Sequence, residues 1–500
     1  MFRKIHKKST MFIMMAVLCM TITIPLSSHA QAQSVKKQKV KNIILFIGDG
    51  MNIEHEIATS QYLYGENYNM VWHHMDYQAP VSTWDVTTYN KYALANGGSV
   101  YDPANFNPLF GYDPTLGGRR PFPLDDSGLD EYFLQMIGAT DSASAGTAIA
   151  CGYKTDDGNI AWLPGDPASG ALKTIAERMR EESGTAIGVV STVPFTHATP
   201  ATFASHNVSR NNYAQIADEM IRMVQPDVVI GGGFPYGGKF SYLSQTLYND
   251  VKSGAVSDYI FVERAAGVDG GNAILAGAAE AVATGKYLFG LFGGSGGNFE
   301  SPVPSDTPGA PSIARATIEN PLLKDATIAA LNVLSQDPDG FFVMIEQGDI
   351  DWANHANDFA RMIGCTWDLD EAIKATIEFV NKPDDSIDWS NTMLMVTADH
   401  SNSYTRLARN EDGKPVLGLG DLPYQVPNSA PVGSYKPGFI YPDGDVSYSS
   451  GGHTNELVML YTTGKGINFL AKRQGDWYPG TQILDNTQMY DAIAEAVSIK

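Results

Sequence analysis

Apolar residues in this chain gather in short unbroken runs, and the stretches between those runs carry helical spacing. The runs at 42–47, 186–192, 228–231, 341–345, 392–397 and 457–461 are dense in Ile, Val, Leu, Met and Phe, which predicts strands buried on both faces. Between them, 171–182, 213–224, 312–334, 367–380 and 489–497 repeat apolar residues with the period of an amphipathic helix. Alternation of this kind predicts an α/β fold, a three-layer sandwich whose central, largely parallel sheet is covered by helices on both faces. Three stretches break the rhythm: 81–131, 293–310 and 401–452 are rich in polar and turn-forming residues. They read as ordered insertions over the mouth of the sheet, so residues 31–500 are expected to form one domain.

The first thirty residues do not belong to that pattern. Arg3, Lys4, Lys7 and Lys8 precede an apolar run at 11–25, and small residues follow at Ser28, Ala30 and Ala32. This is the grammar of a secretory signal peptide at 1–30, too short and wrongly flanked for a membrane span. The expectation is an exported protein, periplasmic or extracellular, with no membrane span after cleavage. Losing residues 1–30 removes four cations and no acid, so the formal charge of -21 for the whole chain becomes about -25. Such a surface repels nucleic acid and anionic lipid, and no nucleic-acid-binding domain is expected. Of the three cysteines, Cys151 and Cys365 survive cleavage, and one bridge or two buried thiols are both consistent with the sequence.

Candidate chemistry collects at the carboxyl ends of the predicted strands, where open α/β sheets bind their ligands. The run at 42–47 delivers Asp49 into a Gly-Asp-Gly turn; 392–397 leads to Asp399 and His400; 341–345 leads to Glu346. Singly, such acids are ordinary turn or capping residues. Together they suggest a divalent-metal cluster. Asp351 and His355 share one helix face, one turn apart, as a carboxylate–imidazole ligand pair. His453 sits after two glycines just before the last strand, and its candidacy rests on the company of the others. Ser142 heads a small-residue helix in Thr140-Asp141-Ser142-Ala143-Ser144-Ala145-Gly146-Thr147, where free N–H groups favour an anion. No His-based triad is apparent, so activation would fall to a metal. Arg210 offers a planar fork for two phosphate oxygens, and the His197 imidazole and Thr199 hydroxyl could reach a metal or its waters.

These motifs, in this order over roughly residues 40–500, resemble those of the alkaline phosphatases, secreted metal-dependent phosphomonoesterases. The resemblance implies hydrolysis of small phosphate monoesters through a phosphoserine on Ser142, with broad specificity and an alkaline optimum. It implies Arg210 as the clamp on the phosphoryl oxygens, with Asp141, His197 and Trp352 beside the substrate. It implies two Zn2+, one held by Asp351, His355 and His453 and one by Asp49, Asp399, His400 and Ser142. A third ion, usually Mg2+, would be held by Asp49, Thr199 and Glu346. His197 and Trp352 stand where the best-known bacterial pattern has Asp and Lys; the first weakens the case for magnesium, and the second implies looser product binding. Members are commonly homodimers, though the sequence shows no interface. Two alternatives stay open: a phosphodiesterase or other hydrolase of the same superfamily, and a secreted metal- or phosphate-binding protein. A sulfatase would require a C/S-x-P-x-R context, which neither Cys151 nor Ser142 has.

Overall fold

Ten strands form the central sheet: β1 (Asn42–Gly48), β2 (Tyr77–Ser82), β3 (Ala186–Pro194), β4 (Val228–Gly232), β5 (Tyr259–Glu263), β6 (Tyr287–Leu291), β7 (Phe341–Gln347), β8 (Thr392–Thr397), β9 (Val458–Gly464) and β10 (Leu484–Asp485). The structure is a computed structural model and describes residues 39–116, 138–256, 258–383, 386–426 and 438–499. The signal-peptide reading of 1–30 and parts of the insertions at 81–131 and 401–452 lie outside the described residues.

The strand order is β10-β2-β9-β8-β1-β7-β3-β4-β6-β5. Every neighbouring pair runs parallel except those of β9, which is antiparallel to both β8 and β2. The expected largely parallel α/β sheet is therefore present. Every residue of β1, β3, β7 and β8 is buried, as a sheet covered on both faces requires. One row of helices, Ile53–Tyr64, Phe359–Val380, Leu323–Leu334 and Gly270–Thr284, packs pairwise along the sheet; Ser142–Cys151, Ile175–Ser183 and Thr487–Ala496 pack into a second group. Among the described residues no helix is long and apolar enough to cross a membrane.

Several elements differ from the sequence reading. The helix expected at 312–334 is only Leu323–Leu334; Ile313–Ala314 is instead a short strand paired with Val303–Pro304. Pro311 and Pro321 flank that segment, and proline removes the N–H a helix interior needs. The helix at 213–224 relaxes into a π-turn over Glu219–Val224. The stretch at 81–131 begins inside β2 and carries the helix Val86–Ala95. Strands β2, β5 and β6 escape the pattern because Pro80, a half-exposed edge and Gly290 break their apolar runs. Cys151 and Cys365 are free, buried thiols, which decides between the two cysteine readings.

Candidate metal centre and nucleophile

Strand order explains why the candidate residues meet. β8, β1, β7 and β3 are consecutive and parallel, so their carboxyl ends share one edge. That edge receives Asp399 and His400, then Asp49, then Glu346 and the helix Asp349–His355, then His197 and Thr199. β9 runs the other way, so its beginning lies at the same edge and brings in His453. The turn after β1 needs glycine: Gly50 has φ +66°, and a Cβ there would lie 2.7 Å from Asp351 Oδ1.

Two triads of ligand-type atoms result. Asp351, His355 and His453 form one, and Asp49, Asp399 and His400 the other, each with its ligand atoms within 4.8 Å of one another. His355 Nε2 lies 3.2 Å from Asp351 Oδ2 and 3.2 Å from His453 Nε2. His400 Nε2 lies 3.4 Å from Asp49 Oδ1 and 3.3 Å from Asp399 Oδ2. The His400 and His453 rings stack at 3.6 Å, placing the triads side by side.

Partners outside the triads orient them. The Nδ1 atoms of His355 and His453 meet the carbonyls of Gly451 and Thr140, each at 2.7 Å, so Nδ1–H donates and Nε2 keeps its lone pair for the centre. Asn402 Nδ2 donates to Asp351 Oδ1 at 2.6 Å, and the Ser191 hydroxyl donates to Glu346. Thr199 Oγ1 donates to Asp49 Oδ2 at 3.4 Å, which joins Asp49, Thr199 and Glu346 in one neighbourhood. Sequence reasoning missed Asn402, Ser191, Gly451 and Thr140, because nothing local marks a carbonyl or amide as an orienting partner.

The buried carboxylates are half-satisfied. Asp399 Oδ1 accepts the N–H groups of Gly50 and His400, while its Oδ2 has no hydrogen-bond donor. Asp49 Oδ1 and Glu346 Oε1 likewise have none. Burial, reinforced by mutual repulsion, raises Asp49 well above the ordinary carboxylate range and pushes Asp399 up to about 8. Burial also lifts Glu346 to about 7, and Asp351 lifts His355 to about 9. Clustered buried acids with open oxygens are costly unless a cation joins them, so the donor set fits divalent metal ions. Nitrogen and carboxylate donors in the two triads suit zinc; the all-oxygen set of Asp49, Thr199 and Glu346 suits a harder ion.

Ser142 opens the helix Ser142–Cys151, and its Oγ lies 3.1 Å from His400 Nε2. Asp141 is the N-cap, accepting from Ser144 N at 2.9 Å. The cap, Asp141, and the candidate nucleophile, Ser142, are thus neighbouring residues of one helix start. Arg210 Nη1 donates to Asp141 Oδ2 at 2.9 Å. Burial alone would raise Asp141, but the Arg210 guanidinium and the Ser144 N–H hold its carboxyl at about 2. His197 Nε2 lies 3.5 Å from an Arg210 nitrogen; burial, aided by that cation, lowers the imidazole to about 3 and keeps it neutral. Trp352 packs edge-on against the His197 ring at 5.6 Å. All thirteen candidates therefore gather at one edge of the sheet.

Comparison with known proteins gives a consistent result. The sequence model of the family described as alkaline phosphatase matches residues 127–469. Alkaline phosphatase 3 of Bacillus subtilis (strain 168) is 30% identical over 384 residues, covering 76% of this chain and 65% of that protein. This chain thus spans slightly less than two thirds of that relative. Alkaline phosphatase 4 of the same organism is 28% identical over 406 residues, covering 79% of this chain and 70% of the relative. The Thermus thermophilus alkaline phosphatase structure superposes with a TM-score of 0.58 at 20% identity, over 96% of each chain, which speaks for the fold. With the family model matched over most of the chain, the chain belongs to the alkaline phosphatase family.

Proposed function

We propose that this protein hydrolyses phosphate monoesters to an alcohol and inorganic phosphate, with Ser142 as the nucleophile, and works best at alkaline pH. The observation that carries the reading is the convergence of two ligand triads on one hydroxyl, Ser142 Oγ at 3.1 Å from His400 Nε2. Asp351, His355 and His453 would hold one zinc ion, and Asp49, Asp399 and His400 a second beside Ser142. Asp49, Thr199 and Glu346 would hold a magnesium-like ion. When bound, these ions lower the pKa of a nearby hydroxyl or water and supply positive charge to ester oxygens.

The chain's own residues do the rest. Ser142 Oγ attacks phosphorus in line, forming the Ser–O–P bond as the ester's P–O bond breaks and the alcohol leaves. Water then breaks the Ser–O–P bond and releases phosphate. The helix that begins at Ser142 directs its free N–H groups toward the anion. Arg210, aligned by its ion pair with Asp141, grips two phosphoryl oxygens. This local cationic charge is what lets a strongly acidic protein hold a dianion. Little of the arrangement touches the leaving group, so specificity is broad. The basic, apolar and small-residue pattern of 1–30 supports the reading of an exported enzyme.

The test compares p-nitrophenyl phosphate with its bis ester and with the sulfate, before and after chelation. Turnover of the monoester that chelation abolishes and zinc restores is the expected result. Covalent phosphate trapped at low pH is expected to disappear in Ser142→Ala. Preference for the bis ester would favour a phosphodiesterase, and tight phosphate binding without turnover would favour a binding protein.

A further inference from the structure

We propose that Asp157 is a positioning residue that holds the nucleophile turn and the phosphate clamp in one fixed relation; the inference rests on the phosphatase reading above. Residues 155–160 form a strap between two parts of the site that are far apart in sequence. At one end the Asp157 carboxylate accepts the Asp141 N–H at 3.0 Å, one residue before Ser142. The next residue binds both partners of the clamp: the Gly158 N–H bonds the Asp141 carboxylate, and the Gly158 carbonyl accepts the Arg210 N–H at 2.8 Å. Beyond it, Ile160 and Asn207 exchange backbone hydrogen bonds at 2.9 and 2.8 Å, tying the strap to the segment that carries Arg210.

The strap is anchored to the helix Val86–Ala95. The Asp157 N–H donates to Thr87 Oγ1 at 3.0 Å, and the Val86 N–H donates to the Thr155 carbonyl at 2.9 Å. Asp157 therefore fixes the backbone at Asp141, whose side chain in turn fixes the Arg210 guanidinium at 2.9 Å. Asp157 lies at the surface, where its carboxylate also bonds those of Asp85 and Asp141, so water can answer for the lost side chain in part. What water cannot replace is the aim of Ser142 and Arg210 at a common point, on which bound-state geometry depends.

The experiment uses the full chain with its metals. Asp157→Ala is expected to raise KM for p-nitrophenyl phosphate and Ki for inorganic phosphate by about fivefold, the scale of one hydrogen bond. Metal content and Tm are expected to stay near those of the unaltered protein. Asp157→Asn keeps the acceptor oxygen and is expected to restore most of both constants. Thr87→Val loosens the anchor and is expected to move them in the same direction by less. Unchanged constants in Asp157→Ala would overturn the inference. So would equal shifts in the Ala and Asn variants, which would make charge rather than the hydrogen bond responsible. Calorimetric binding of inorganic phosphate separates the two readings: a protein that binds phosphate without turnover overturns the phosphatase reading, while weaker binding in Asp157→Ala still upholds the strap.

Discussion

Replacing Gly50 by Ala tests whether the turn after β1 is built to admit Asp351. Gly50 has φ +66°, a left-handed conformation that costs an L-residue about 1–2 kcal/mol. The new Cβ would also lie 2.7 Å from Asp351 Oδ1 and 3.0 Å from Asp351 Cα. Backbone cannot swing aside as a flexible side chain can, and overpacking of this kind costs about 1–3 kcal/mol more. The two together give a loss of about 2–5 kcal/mol. At about 2.1 cal/mol/K of unfolding entropy per residue, a chain of 500 residues would lose about 2–5 °C in Tm. The larger consequence is chemical. Relief of the clash pushes Asp351 off the position it shares with His355 and His453, so one metal is expected to bind more weakly. The assay is elemental analysis of zinc per chain, alongside p-nitrophenyl phosphate turnover across a zinc titration and thermal unfolding. The expected result is a lowered Tm with a raised zinc requirement for activity. A Gly50→Ala protein with unaltered zinc content, zinc requirement and Tm would refute the reasoning, because the contact would then be relieved without moving Asp351.

Three further predictions follow from separate parts of the molecule. Lys154→Met strands the buried Asp485, whose Oδ2 lies 2.8 Å from Lys154 Nζ; the expected loss is about 3–5 kcal/mol in urea unfolding, and a shift under 1 kcal/mol would contradict it. Glu177, 3.0 Å from His206 Nε2, raises the His206 pKa above its ordinary value against the opposing effect of burial. The ion pair therefore contributes stability that is complete below the unfolded-state pKa and lost as pH rises through the folded-state one. Hence His206→Gln is expected to lower Tm at pH 5.5 and to leave it nearly unchanged at pH 10, values chosen to bracket the titration at roughly one unit below the ordinary pKa and well above it; an equal drop at both would contradict the assignment. Trp352→Lys places a cation beside His197 and Arg210, so inhibition by inorganic phosphate is expected to tighten by about fivefold, and an unchanged Ki would count against a role near the product.

How much was legible in the sequence varies by residue. Asp49, Asp399 and Glu346 were visible because each lies within two residues of the end of an apolar run, and a buried strand announces itself locally. Asp351 and His355 were visible through helical spacing. Ser142 was visible as the first residue of a small-residue helix, a place that favours an anion, and the family resemblance added its role as nucleophile. His453 carried almost no local signal; it joins the site because β9 runs antiparallel beside β8, a fact of strand direction. The misread helix at 312–334 shows the same limit, since apolar spacing continued across prolines that the backbone could not accept as helix.

By itself the sequence determined the local segments and the residue types at their ends. Apolar run length and period act over six to twenty residues, which is the range over which a chain can specify its own strand or helix. Tertiary structure alone decided which ends meet. Strand order and direction arise from pairing between segments hundreds of residues apart, such as Asn42 with Thr392 and Ile43 with Phe342, and no short window of sequence contains that information. The orienting partners Asn402, Ser191 and Asp157 belong to the same class. Their roles come from where folding puts them, because a hydrogen bond depends on position in space and a single polar residue looks alike wherever it will land.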